Sequence, residues 1–342
     1  MNKKREKTDR AAARMPSAIL IIAAMAICLA AFFLAMIFGA ADTSLRDVWL
    51  ALTSGAKTPE ISIIRELRLP REVACLLVGS ALAVAGAIMQ GVTRNPLADP
   101  GLFGLTAGAK AALAITLALI PGANYFYIML ACFAGAGLGT VFVFGIAALK
   151  RGGFSPLRIV LAGAAVSAFL FAVADGIGLY FKIARDVSMW TSGGLIGTTW
   201  SQIRIIAPFI GAGIVAAMFL ARQLTLLSFD EEVATGLGQR TGLVKTLLFV
   251  IVAVLAGTSV ALAGNLAFVG LMIPHMVRPF TGNDYRLIIP VSILIGGAFM
   301  LAADTIGRTL QAPFETPIAA IIALLGLPFF LYVVRKGGRS FS

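Results

Sequence analysis

Charge is scarce in this sequence: Asp, Glu, Lys and Arg together make up 13% of its 342 residues, about half the share found in soluble domains. Such a chain cannot solvate a surface of its own size in water, which excludes an ordinary soluble enzyme. Histidine is almost absent, with His275 alone. One imidazole without co-ligands makes no zinc site, so no metal centre is expected and His275 reads as a structural hydrogen-bonding residue. The three cysteines, Cys28, Cys75 and Cys132, stand singly in apolar runs without a CxxC spacing. An odd number so placed argues against a disulfide framework and suits small hydrophobes in packed helices. No GxxxxGKS or GxxxxGKT stretch occurs, so there is no phosphate-cradling loop for ATP. No cofactor is expected on the chain itself.

Apolar residues fill the space. Hydrophobic types make up 59% of the chain and the mean hydropathy is +0.94, gathered into runs of the roughly 20 residues that a bilayer requires. The runs place about ten spans, near 17–39, 73–92, 105–120, 126–149, 158–181, 204–221, 244–263, 266–279, 286–304 and 316–334. The expected fold is an all-α integral membrane protein with a basic N-terminus (1–16), a transmembrane domain (17–334) and a C-terminal tail (335–342). The first run, Ile19–Phe38, is too long for the apolar region of a signal peptide and reads as a retained span. The eighth is short, interrupted by Gly264, Gly270 and Pro274, and broken backbone at membrane depth must be buried in protein or line a cavity.

The net charge of +12 does not point to nucleic acid, because much of it sits at the two ends: Lys3, Lys4, Arg5, Lys7, Arg10 and Arg14, then Arg335, Lys336 and Arg339. Basic flanks mark cytoplasmic ends, so both termini are expected inside and the number of spans even. Alternation then puts two basic stretches outside against the rule, 41–71 (Arg46, Lys57, Arg65, Arg68, Arg71) and the stretch holding Lys182, Arg185 and Arg204. The stretch Gly79–Gly86 also matches Gly257–Gly264 in its Gly/Ala pattern, on spans running in opposite directions, which suggests an inverted internal repeat of the kind common in transporters.

Three stretches carry specific information. The first is Arg68-Leu-Pro-Arg71, continuing through Gly79–Gln90 to Arg94-Asn-Pro-Leu-Ala-Asp-Pro-Gly101. The second is Gly264-Asn-Leu-Ala-Phe-Val-Gly-Leu-Met-Ile-Pro-His-Met-Val-Arg278. The third is Glu315-Thr-Pro-Ile, running into Leu325-Gly-Leu-Pro-Phe-Phe330. Together they closely resemble the permease subunits of type II ABC importers, the FecCD-like family, whose members take up ferric siderophores, haem and vitamin B12. The resemblance runs from about Arg65 to Arg335 in the family's order. It departs at Ala319, where the family usually has Gly, and at Leu266, where it often has Ile. Next to Ala319, Thr316 suits an N-cap and Pro317 a first helical turn.

The resemblance implies a permease in a prokaryotic cell membrane, paired with an identical or sister permease, two ATPase subunits and an extracytoplasmic substrate-binding protein. Its cargo would be a metal chelate, most plausibly a ferric siderophore, with haem or cobalamin as alternatives. It implies that Arg68, Arg71 and Arg308 meet acidic residues of the binding protein, a task suited to a planar guanidinium. Read from the residues alone, these arginines would pair locally, with Glu66, Glu72 or, four residues before Arg308, Asp304. The loop 226–244 resembles the family's coupling helices, which makes Glu231, Glu232, Ala234, Leu237 and Gly238 the expected ATPase contacts. The plain alternative is a capped loop with acids at a helix N-terminus. Asn95, Pro96 and Leu97, with Ser155 and Pro156, match the family's cytoplasmic gate, although Asn-Pro is also a turn former. Asp175 and Glu315 lie near the expected outer ends of spans. A proton- or sodium-driven secondary transporter is the rival reading, and an intramembrane enzyme a weaker one for want of a convergent His/Asp/Glu cluster.

Overall fold

The computed structural model describes residues 16–38, 44–55, 58–148, 156–192, 194–312 and 314–337. Of the expected cytoplasmic ends only residue 16 and residues 335–337 are described, and Ser155 lies outside the described residues. Those described fold into α1 (Ser17–Ile37), α2 (Leu45–Thr53), α3 (Pro59–Ile63), α4 (Leu69–Thr93), α5 (Leu105–Leu119), α6 (Tyr125–Ala148), α7 (Pro156–Tyr180), α8 (Ala184–Thr191), α9 (Trp200–Phe219), α10 (Ala221–Phe229), α11 (Glu231–Gly236), α12 (Thr241–Ala263), α13 (Val269–Thr281), α14 (Tyr285–Thr309) and α15 (Ile318–Gly337). No strand occurs among the described residues.

Among the described residues eight helices are long and apolar enough to cross a membrane, against about ten spans expected. The other two runs form helices, but α5 has 15 residues and α13 has 13. At about 1.5 Å per residue neither reaches across a core of about 30 Å. Two of the runs are therefore short, not one, and they fall third in each half of the ten.

The second span also starts much earlier than 73. A helix runs without a break over Pro59–Thr93, passing through a π-turn at Ile64–Arg68 in which the Leu69 N–H reaches back to the Ile64 carbonyl. Proline in a helix lacks an N–H and its ring crowds the carbonyl four residues back. The wide turn just before Pro70 absorbs both faults, so Arg68-Leu-Pro-Arg71 is helical and not part of an external loop. The mirror problem arises at Pro274, which α13 accommodates without breaking. Its missing N–H would leave the Gly270 carbonyl bare, and Gln90 Nε2 donates there (3.4 Å) and to Leu271 O (3.1 Å). The real break precedes α13, where Gly264 and Phe268 take φ of +71° and +70°. Phe268 tolerates that left-handed strain, of order 1–3 kcal/mol, because its ring fills the space a side chain on Gly326 would need.

α4 is the centre of the bundle, packed against α14, α12 and α13. Its Gly79 and Gly86 lie so close to the backbones of Gly296 and Gly270 that no Cβ fits, the close approach by which small residues hold helices together in lipid. At the last helix, the expected cap is not found: α15 starts at Ile318, the Pro317 carbonyl opens it, and the buried Thr316 hydroxyl has no partner. Thr316 instead donates its backbone N–H to Gly307 O, which ties the segment to α14 and leaves the side chain turned away from the first turn.

Candidate functional site

At the end of the bundle where α4 begins, four arginines do related work. Arg65 donates to the carbonyls of Ala51 (2.8 Å) and Leu50 (3.2 Å), closing the C-terminus of α2. Arg68 donates to Met36 (2.7 Å) and Ile37 (3.1 Å), closing α1. Cations there complement the negative end of a helix dipole. Arg71 grips Asp304 with Nε and Nη2 (2.9–3.1 Å) and Glu315 with Nη1 (2.9 and 3.0 Å). Arg308 reaches Glu72 Oε1 at 2.6 Å and Ala35 O at 3.2 Å. Its Nε also faces Asp304 Oδ2 at 3.0 Å, the i,i+4 pair expected, as a charge contact out of line for a hydrogen bond.

The structure thus brings Arg68, Arg71 and Arg308 into one cluster, as a dock would need, but turns two of them inward. Arg68 is 6% exposed and Arg308 4%, and both guanidiniums are engaged within the chain. Docking contacts from Arg68 and Arg308 would have to break those bonds; only Arg71 lies at a rim, beside the more exposed Glu315. Three carboxylates (Glu72, Asp304, Glu315) stand against the three guanidiniums, so the cluster offers little net charge. Ligand atoms of Glu72, Cys75 and Asp304 come within 4.8 Å of one another, a spacing that would suit a cation. Two arginines already neutralise those carboxylates, which argues against one. His275 lies elsewhere, edge-on to Phe329 at 5.7 Å between ring centres.

At the opposite end of α4, Arg94 pairs with Asp230 at 3.2 Å. Asp230 caps α11, its Oδ1 accepting from Glu232 N at 2.7 Å. That backbone N–H, joined by Val233 N–H and Arg94, holds the Asp230 carboxyl below its usual range. Gly238 at φ +81° closes the helix in a Schellman turn, with Gln239 N–H on Ala234 O and Gly238 N–H on Thr235 O. Of the expected ATPase contacts, Glu232, Leu237 and Gly238 are exposed. Glu231 is partly spent on Lys245 (2.6 Å). Ala234 is fully buried and cannot be a contact: its face of the short helix turns into the bundle. Val233 (55% exposed), outside the expected set, stands one turn before Leu237 (67%). An i, i+4 apolar pair on an otherwise polar segment was the signal available.

Between the two ends lies a cavity of about 440 Å³. The segments that precede the short helices α5 and α13 supply much of its wall, Asp99–Gly101 on one side and Asn265–Phe268 on the other, with Leu82 of α4, Phe171 of α7 and Phe330 of α15. Interrupted segments at matching places in two halves of a transporter commonly enclose its binding site. Leu97 borders this cavity, while Pro96 borders a smaller one of about 170 Å³ with Arg94, Arg278 and Tyr285. Asn95 folds the segment by accepting from Leu97 N–H at 2.9 Å, so Asn95, Pro96 and Leu97 stand between the central cavity and the Asp230 end. Pro156 opens α7, and its partner in the expected gate, Ser155, is outside the described residues.

Comparison with known proteins agrees with this architecture. The FecCD transport family matches residues 27–336. An iron(3+)-hydroxamate import system permease protein, FhuB of Bacillus subtilis, is 44% identical over 323 residues, covering 94% of this chain and 84% of the relative. The iron-uptake system permease protein FeuB of the same organism is 37% identical, covering 94% and 97%. The ferric enterobactin transport system permease protein FepD of Escherichia coli is 35% identical, covering 90% and 92%. A solved inward-facing structure of a metal-chelate type ABC transporter superposes with a TM-score of 0.81 at 24% identity, covering 94% and 100%, which speaks for the fold. Taken with the helical bundle and its central cavity, these matches leave one assignment: the chain belongs to the FecCD transport family, as a membrane permease and not an enzyme.

Proposed function

We propose that the chain is one permease of an ATP-binding-cassette importer that carries a ferric chelate, most concretely a ferric siderophore, into the cytoplasm. The observation that carries the reading is the 44% identical relative, aligned along 94% of the chain, whose name gives an iron(3+)-hydroxamate cargo. The cavity supports it in kind, since apolar walls with a few polar groups suit a bulky chelate with a greasy ligand shell. Two such permeases, identical or sister, enclose the path. The Asp230–Gly238 end is cytoplasmic, as are both termini, and there Val233 and Leu237 present an apolar face to an ATPase subunit.

The opposite end faces the substrate-binding protein, with Arg71 and Glu315 at the contact and Arg68 and Arg308 supporting them from behind. This orientation accounts for part of the breach of the charge rule, although Arg46, Lys182, Arg185 and Arg204 stay exposed on the outer side. Arg65, Arg68, Arg71 and Arg308 are spent on helix ends and carboxylates, whereas Arg222, Arg240 and Arg286 at the Asp230 end are exposed as the rule expects of a cytoplasmic face. Asn95, Pro96, Leu97, Ser155 and Pro156 form the inner gate.

The test is uptake of radioiron chelates by vesicles holding the permease pair with its ATPase, supplied with the binding protein. Uptake that needs ATP and the binding protein is expected. Uptake that survives without the ATPase under an imposed proton or sodium gradient would refute the reading in favour of a secondary transporter.

A further inference from the structure

One ion pair belongs to neither end of the bundle. Lys110 Nζ of α5 lies 2.6 Å from Asp175 Oδ1 of α7 and 5.3 Å from the centre of the Phe171 ring. The lysine is largely covered, at 18%, but the aspartate side chain is 61% exposed, and Oδ1 alone of its two oxygens is engaged. Both residues sit inside apolar helices that read as membrane-embedded. A bare carboxylate there is costly against hydrocarbon, so such groups face a bundle interior or a water-filled path.

The surroundings of Asp175 say which. Phe171, one turn before it on the same side of α7, lines the central cavity. Ala164 and Ala168 continue that side and are exposed; small residues there leave room that a lipid-facing helix would fill. By contrast Phe169, on another side of α7, is 67% exposed and suits lipid. Asp175 lies five residues before the end of α7 at Tyr180, so the pair stands between the end of the bundle carrying Arg71 and the cavity.

Resting on the reading of the chain as a ferric-chelate permease, we propose that Asp175, held by Lys110, is a selectivity contact at the mouth of the path, taking a cationic ammonium group on the periphery of the chelate. Lys110 fixes the carboxylate through Oδ1 and leaves Oδ2 to the passing chelate. The pair is neutral as a whole, so it orients a donor-bearing cargo without trapping it as an isolated buried charge would.

The experiment compares two ferric trihydroxamates, one with a pendant ammonium and one with that nitrogen acetylated, in vesicles holding the whole transporter and saturated with binding protein. The Lys110→Gln/Asp175→Asn variant removes both charges and leaves no orphan. It is expected to lose about tenfold in uptake of the ammonium chelate relative to the acetylated one, the size of one charge-assisted contact. The exchanged pair, Lys110→Asp/Asp175→Lys, is expected to reverse the preference. Uptake of the acetylated chelate reports folding and assembly in the same vesicles. If both variants keep the wild-type ratio, the selectivity role is overturned while the importer reading stands. If the wild-type complex moves neither chelate with ATP, it is the importer reading that fails.

Discussion

Replacing Arg308 with Met should unfold this protein more readily than any change of a surface arginine. The guanidinium is 4% exposed and serves Glu72, which is fully buried, and Asp304, which is 1% exposed. Without it, Asp304 retains Arg71, but Glu72 loses its ion-pair partner; one of its oxygens already has no hydrogen bond. Breaking a buried pair from one side costs about 3–5 kcal/mol. The Ala35 carbonyl at the end of α1 also loses its donor, adding about 1 kcal/mol. Removing both charges, as Arg308→Met with Glu72→Leu, should recover most of that, because an apolar pair of similar volume is often no worse than a buried ion pair. The assay is reversible unfolding in mixed micelles, closed as a double-mutant cycle, with α1 docking followed separately by cysteine accessibility near Ala35. A single-variant loss below about 1 kcal/mol, or a double variant no more stable than the single, would refute the account of Arg308 as an internal tie.

Three further outcomes follow from the geometry. Gly86→Ala places a methyl against the Gly270 backbone and should cost about 1–3 kcal/mol as overpacking, read as a lowered melting midpoint in detergent. Val233→Asp should abolish ATP-driven uptake while leaving permease folding intact, since the side chain is 55% exposed; unchanged uptake would remove the α11 face from the ATPase contact. For Asp230, the folded carboxyl titrates below its unfolded value, so its cap is present above about pH 4 and is lost as pH falls through the folded value. Asp230→Ala should therefore imitate acid by loosening 231–236 in amide exchange, and Asp230→Asn should not, because Asn also caps.

The spans were legible because run length and apolar content are local properties, and the family because three motifs lie in order along the chain. What escaped was whatever depends on partners far apart in sequence. Arg71 and Asp304 are separated by 233 positions, so no periodicity could announce that the arginines of this end answer to Asp304 on α14, to Glu315 and Glu72, and to helix ends. Pro70 reads as a stop unless the π-turn before it is known, and Pro274 as a break unless Gln90 is seen covering its orphaned carbonyl. The Ala234 error is of another kind: six helical residues are too few to show which side is buried, and only the packed structure separates Ala234 from Val233.

The unbroken helix Pro59–Thr93 has a mechanical meaning. Its 35 residues make a rod about 50 Å long, longer than the bilayer core is thick. Arg71 is clamped in its outer half, about 18 Å from that tip, and Arg94 touches Asp230 beyond the other tip. A tilt of about 5° about its midpoint would carry each tip about 2 Å in opposite senses. Receptor arrival on one side of the membrane and nucleotide turnover on the other would then be felt by the same lever, with the Gly79 and Gly86 contacts as its fulcrum.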